Sequence, residues 1–286
     1  MPAPISAPIS TPISTPKLTE FYKIPSIDVY RFKGLGTTPE LVVSSTQGVL
    51  NRKDTVAIKT YEAAMDVIKY YKNDYNRDSF DNANGTVRII VGYEDSPGLP
   101  LNNAYWNTED KTLYFGDGDG KLFSPLGTAR DVMAHEFGHA VIDNEVKLTY
   151  RGQSGGIHES VSDVWATGVD GNLKIGEDVF TPDVPNDALR DLDNLHWNTV
   201  SDIKNTSYWD EPHAMGEPLS HAAVLASQSL GLDKVRKIWY TAITEDLKDH
   251  SGFTGFRQAT EGAALRMYGT DARQSVRDAF KAVGIN

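Results

Sequence analysis

The sequence predicts an α+β protein of two lobes, and three observations carry that expectation. Strand-like runs occupy the first half of the 286 residues, helical periodicity fills the second half with no long strand run beyond Val146, and a helical stretch bearing His135-Glu136-Phe137-Gly138-His139 lies between them. Segregated strands and helices favour two lobes with a cleft between them over an alternating α/β sheet. The expected division is a Pro-rich tail at 1–16, a strand-rich lobe at 17–147 ending in the HExxH helix, and a mainly helical lobe at 148–286.

The tail repeats as APIS APIS TPIS TP from Ala3 to Pro16, and a proline at every fourth position excludes both helix and central strand. It lacks a charged region followed by an apolar one, so it does not read as a secretory signal. From Phe21 to about Val43, alternation in Tyr22 and Ile24, then Ile27, Val29 and Tyr30, predicts strands. Between Thr55 and Tyr75, Ala57, Tyr61, Ala64, Met65, Ile68 and Tyr71 share one helical face. Thr86 to Tyr93 and Asn103 to Phe115, broken at Thr108 to Asp110, predict further strands, and GDGDG at Gly116 to Gly120 a turn. Helical spacing returns from about Thr128 to Asn144, then over Pro218 to Leu230, Asp233 to Leu247, Phe253 to Met267 and Ser275 to Val283.

Composition narrows the function classes. Asp plus Glu number 39 against 28 Lys plus Arg, a net charge of -11, which is not the basic footprint of a nucleic-acid binder. No run approaches the ~18 apolar residues of a membrane span. With 40% hydrophobic and 10% aromatic residues the chain is not disordered throughout. There is no cysteine, so disulfides, thiolate metal sites and a cysteine nucleophile are excluded, and a transition metal must be held by His and carboxylate.

The HExxH spacing puts the His135 and His139 imidazoles on one helix face, where a single ion can take both, with Glu136 beside them. By itself the motif also arises by chance on surface helices. What raises it is the segment from Gly155 to Asp163, which reads as a turn entering a second helix with Glu159 and Asp163 one turn apart. If the two helices pack, Glu159 completes a His, His, Glu set with an open fourth position, as in a catalytic zinc site. Asp163 then orients a ligand histidine by accepting its other ring N–H.

The HExxH helix, nineteen further residues, Glu159 and then Asp163 resemble the thermolysin-like family of secreted neutral metallopeptidases. Asn102 to Asn107, the GDGDG turn, Ile175 to Asp178 with Thr181-Pro182, Asp187 to Arg190 and Phe280 to Gly284 are similar to family segments in family order, so the likeness runs from about Thr55 to Asn286. It implies the two-lobed thermolysin-like fold and a zinc-dependent endopeptidase that hydrolyses peptide bonds in proteins with zinc-activated water and Glu136 as general base. It also implies Tyr150 and His213 as donors to the developing oxyanion. Asp210 is expected to orient His213, though it sits closer in sequence than the family's partner aspartate does. The stretch from Asp210 to Gly216 departs from the family's glycine-rich loop. His158 stands where the family has asparagine, and is expected to adjust the support around the ligands rather than bind metal. His196, His221 and His250 read as packed or solvent-facing.

The resemblance assigns substrate contacts as well. Asn103 and Ala104 match an edge strand that pairs with an extended peptide, and Arg190 a cleft arginine that holds a substrate carbonyl. Phe123, Leu126, Val132, Ile175, Val179 and Leu189 match the apolar pocket after the scissile bond, which implies a preference for bulky hydrophobic residues at P1′. Calcium is the second implied cofactor, with Asp131, Asp170, Asn172, Glu177 and the Lys174 carbonyl as ligands and a further loop at Thr181, Val184 and Asp187. The expected enzyme is an extracellular monomer acting on proteins or peptides, with no nucleic-acid or membrane partner. The family's pro-segment is not seen here, so either a leader and pro-segment were removed or export is unconventional. Two rival readings stay open. A gluzincin aminopeptidase carries the distal glutamate one residue nearer and a separate amine-gripping motif. A catalytically silent zinc- and calcium-binding module holds a peptide without cutting it.

Overall fold

A computed structural model describes residues 24–286. The expected tail at 1–16 and the strand start expected at Phe21 and Tyr22 lie outside the described residues. In the first half, β1 (Ile27–Arg31) and β2 (Glu40–Ser44) pair antiparallel, and α1 (Thr55–Tyr75) leads to β3 (Val87–Val91). A hairpin of β4 (Glu94–Ser96) and β5 (Leu99–Pro100), which the sequence reading missed, precedes the antiparallel pair β6 (Ala104–Asn107) and β7 (Thr112–Phe115). The five-stranded sheet has the order β2-β1-β3-β7-β6, with β3 parallel to both neighbours, so β6 is an edge. The parallel β1/β3 pair requires a crossover, and α1 lies in it.

Asp54 caps α1 by accepting from the Ala57 N–H at 3.0 Å, and Asn76 ends it in a left-handed conformation. The Asp54 carboxylate is also gripped by Arg31, whose other arm reaches Asp117 in the GDGDG turn at 2.6 Å. Sheet, helix start and turn are thereby tied together.

The helices follow: α2 (Arg130–Glu145), after a 3-10 turn at Leu126–Thr128, and α3 (Gly152–Asp170). A two-residue ribbon of β8 (Lys174–Ile175) and β9 (Arg190–Asp191) comes next, then α4 (Val200–Ile203), α5 (Pro212–Leu230), α6 (Leu232–Thr241), α7 (Phe253–Tyr268) and α8 (Thr270–Ala282). Helix α2 is buried at every position from Asp131 to Ile142. A helix enclosed on all sides carries no amphipathic stripe, and this one runs through the middle of the molecule. Its Phe137 meets Tyr71 of α1 at 4.9 Å between ring centroids, and Tyr71 also meets Trp165 of α3. Trp239, Phe256 and Phe280 join α6, α7 and α8 in the same way. Across the α7/α8 seam the buried Glu261 accepts from Arg257 at 2.7 Å and from Arg277 at 2.6 Å, with Arg273 at 3.4 Å.

Several helix boundaries differ from the sequence reading, among them the start of α8, at Thr270 rather than Ser275. Helix α5 begins at Pro212 rather than Pro218, because Glu211 caps it by accepting from the His213 and Ala214 N–H groups. Either proline is compatible with a first turn, and the cap decides. Pro218 stays inside the helix. Helix α3 begins at Gly152, not after Gly155, and α6 ends at Thr241 with a π-helical turn at Ala242–Asp246 in place of a regular helix to Leu247.

Two glycines let α3 and α5 approach closely. A Cβ on Gly156 would stand 2.7 Å from the Met215 backbone, and one on Gly216 would stand 3.0 Å from Glu159 Cβ. The second contact fixes where the Glu159 side chain leaves α3. No helix among the described residues is long and apolar enough to cross a membrane.

Candidate metal centre and cleft

Helices α2 and α3 bring His135, His139 and Glu159 together, with one ligand atom from each lying within 4.8 Å of the others. The Nε2 atoms of His135 and His139 stand 3.1 Å apart. Glu159 Oε2 is 3.3 Å from His135 Nε2, and Oε1 is 3.4 Å from His139 Nε2. All three side chains are buried, and Glu159 Oε2 accepts no hydrogen bond. Two ring nitrogens aimed at each other across a buried carboxylate cannot all be satisfied by protein donors, whereas one cation satisfies all three. Nitrogen and oxygen donors in this number suit zinc.

The electrostatics point the same way. Burial pushes the His135 imidazole down, yet Asp163 and Glu159 outweigh it and lift its pKa to about 10, so positive charge is favoured here. Asp163 accepts from His135 Nδ1 at 2.7 Å, leaving Nε2 for the ion. Burial opposes ionisation of Asp163, but Arg190 and His135 hold its pKa down to about 2. Burial likewise works against the Glu159 carboxylate, and the two histidines hold it well below the usual range. His158 stands behind His139, with the two Nδ1 atoms 3.2 Å apart, and burial together with His139 pushes its imidazole down to about 3.

These groups form the floor of a cleft of about 830 Å³. Glu136, 7% exposed, opens onto it. Tyr150 and His213 stand above the metal residues: the Tyr150 hydroxyl donates to Glu159 Oε1, and His213 Nε2 is 3.4 Å from Glu159 Oε2. Burial and the Glu159 carboxylate raise the Tyr150 phenol pKa, which keeps it a donor. One wall is the sheet edge, with Asn103 and Ala104, and another carries Phe123, Leu126, Val132, Ile175 and Leu189. Arg190 also lines it, its Nε and Nη2 donating to the two Asp163 oxygens at 2.7 Å each.

Two family models match: the thermolysin metallopeptidase catalytic domain over residues 13–143 and its alpha-helical domain over residues 146–285. The chain belongs to the thermolysin metallopeptidase family. It is 34% identical to the bacillolysin of Bacillus caldolyticus over 255 residues, covering 81% of this chain and 46% of that protein. The thermolysin of Alicyclobacillus acidocaldarius subsp. acidocaldarius is likewise 34% identical with the same coverage. The extracellular elastase of Staphylococcus epidermidis is 35% identical over 229 residues, 78% of this chain and 45% of the relative. The chain thus spans a little under half the length of these curated relatives. Among solved structures, the precursor of protealysin, a metalloproteinase from Serratia proteamaculans, superposes with a TM-score of 0.80 at 23% identity, covering 96% of this chain and 91% of that chain, and shares the fold.

In this thermolysin-family chain several expected contacts are placed differently. Asp210 does not orient His213. Its backbone is left-handed at φ 82 and its carbonyl accepts from Gly152 N–H, so it serves the turn into α5. Glu211, the cap of α5, instead meets His213 Nδ1 at 2.8 Å. Val179 is buried, with its carbonyl accepting from Ser124 N–H, and does not line the cleft.

Of the expected calcium residues, Asp131, Asp170 and Glu177 converge within 4.8 Å. Asn172 does not join them as an oxygen donor: its Oδ1 accepts from Lys174 N–H, and its Nδ2 donates to Glu177. Lys174 itself pairs with Asp191 in the β8/β9 ribbon. Burial and the neighbouring Glu177 raise the Asp131 pKa to about 7. In the further loop, the Thr181 hydroxyl donates to Asp187.

The sequence reading also missed Glu211, Trp197, Tyr208 and Asp143, all of which line the cleft. Only Glu211 left a trace, as an acid directly before a proline-started helix.

Proposed function

We propose that this chain is a zinc-dependent endopeptidase that cuts proteins and peptides before bulky hydrophobic residues. The convergence of His135, His139 and Glu159 on the cleft floor, with Glu136 beside them, carries this reading. His135, His139 and Glu159 would hold zinc, which would supply a Lewis acid able to lower the pKa of water to roughly 7 and to polarise a carbonyl. Glu136 accepts a proton from the attacking water and passes it to the departing amine nitrogen. The Tyr150 hydroxyl and, in its protonated form, His213 Nε2 donate to the developing oxyanion, and Glu211 fixes the ring from Nδ1.

The β6 edge pairs with the extended substrate through its free backbone groups. Phe123, Leu126, Val132, Ile175 and Leu189 receive the side chain after the scissile bond, and Arg190 holds a substrate carbonyl while bound to Asp163. Calcium is held by Asp131, Asp170 and Glu177, a reading supported by their convergence and by Glu177 Oε2, which is buried without a hydrogen-bond partner; Arg130 Nε also stands 3.2 Å from Asp170 Oδ1. The extracellular elastase among the relatives supports action outside the cell.

The test is hydrolysis of peptides blocked at both ends, with Gly, Leu or Phe after the scissile bond, before and after zinc chelation. Internal cleavage favouring Leu and Phe by at least ~10-fold, lost on chelation and restored by zinc, is expected. Cleavage only of peptides with a free amino end would leave an aminopeptidase, and chelator-insensitive silence a peptide-holding module. Neither alternative is favoured: the cleft acids Asp143, Glu211 and Glu217 are each engaged by protein groups, and a mere binder has no use for Glu136, Tyr150 and His213 together.

A further inference from the structure

We propose that His158 and Asp143 are positioning residues for the zinc ligand His139, linked in a chain that runs from the ligand to the strand at the cleft edge. The inference rests on the zinc reading above. Its starting point is tautomer logic. For His139 to offer Nε2 to an ion, its proton must sit on Nδ1, and that nitrogen is 3.2 Å from His158 Nδ1 and 3.3 Å from Ser162 Oγ. An imidazole that accepts at Nδ1 carries its own proton on Nε2.

The Nε2 atom of His158 is buried without a hydrogen-bond partner, and Asp143 Oδ1 stands 3.5 Å from it. This is the side from which a carboxylate holds His158 in the accepting tautomer. Asp143 lies one helical turn beyond His139 in the last turn of α2, where an acid works against the helix dipole, so its placement calls for other partners. It has them. Its Oδ2 accepts from Trp106 Nε1 at 2.8 Å and from the Thr108 hydroxyl at 2.6 Å, which leaves Oδ1 turned to His158.

Trp106 belongs to β6, the edge strand lining the cleft. The chain of contacts therefore runs β6, Asp143, His158, His139, and it fixes the direction of one ligand ring from the substrate wall. Asp163 does the corresponding work for His135 in a single step.

The test uses ¹⁵N spectra of the histidine rings in the zinc-loaded protein and zinc dissociation constants from chelator competition. The expected spectrum shows His139 protonated on Nδ1 and His158 on Nε2. His158→Ala should weaken zinc binding by ~10-fold or more, while His158→Asn, whose amide oxygen also accepts from His139, keeps most of the affinity. Asp143→Ala should weaken zinc binding in the parent protein but not in the His158→Asn background. Equal weakening in both backgrounds would mean that Asp143 serves only Trp106 and Thr108, and would overturn the inference. So would a His158 ring protonated on Nδ1 in a tightly zinc-loaded parent, a measurement that requires no variant to fold. A parent that binds no zinc would remove the zinc reading itself, a separate result.

Discussion

Glu136 sits on the cleft floor with no share in holding the ion, so replacing it separates chemistry from binding. Glu136→Gln should reduce kcat by ~10²- to 10⁴-fold while metal analysis finds the same zinc content as in the parent. Glu211 has two tasks, capping α5 and meeting His213, and Glu211→Ala should cost about 1 kcal/mol in thermal unfolding and reduce kcat in the same variant. The metal residues and Asp163 are legible in the sequence because one-turn spacing on two helices leaves little freedom for their side chains. Asp210 misleads because its role depends on a left-handed backbone that sequence spacing does not reveal, and Asn172 because an oxygen near acids was free, on paper, to face them rather than the Lys174 N–H. Asp143 gave no signal at all, since its partners Trp106 and His158 are distant in sequence and meet only on folding.

At the level of elements, the Glu261 cluster gives a pH dependence with a definite sign. Burial opposes the Glu261 charge, but Arg277 and Arg257 hold its pKa below the usual value of 4.5. A carboxylate depressed in the folded state adds stability above its unfolded pKa and loses it as pH falls through the lower folded value. Glu261→Gln should therefore lower the unfolding midpoint at about pH 7, and the difference from the parent should shrink below about pH 4 in a series of thermal melts. Most elements were legible because α1, β3, β7 and the last helices carry a regular polar and apolar rhythm. The β4/β5 hairpin was not, being three polar residues and then two, and the start of α5 was not, because two prolines compete for it and a cap chooses. Helix α2 was found through its motif; burial on every side leaves it no periodic face.

Over the whole molecule the two proposed ions have different duties. The zinc residues project from helices already locked by Phe137, Trp165 and the glycine contacts, so zinc chelation should abolish activity while the circular dichroism spectrum stays folded. The calcium residues come from α2, the end of α3 and the loop after β8, and Arg130 offsets only part of the repulsion among their three carboxylates, at Asp170. Calcium at about 100 times its dissociation constant should stabilise the fold by about 2.7 kcal/mol, read as a higher unfolding temperature, and Asp131→Asn should lose most of that gain. The strand-rich start and helical remainder followed from the segregation of strands and helices, whereas the close glycine contact between α3 and α5 inside the helical part did not. That contact narrows mutational tolerance. Gly216 does not line the cleft, yet even a methyl group there would press on Glu159 Cβ. In a saturation library selected for proteolysis, position 216 should accept as few replacements as the ligands do, and an inactive clone from it would be easily mistaken for a lesion in the chemistry.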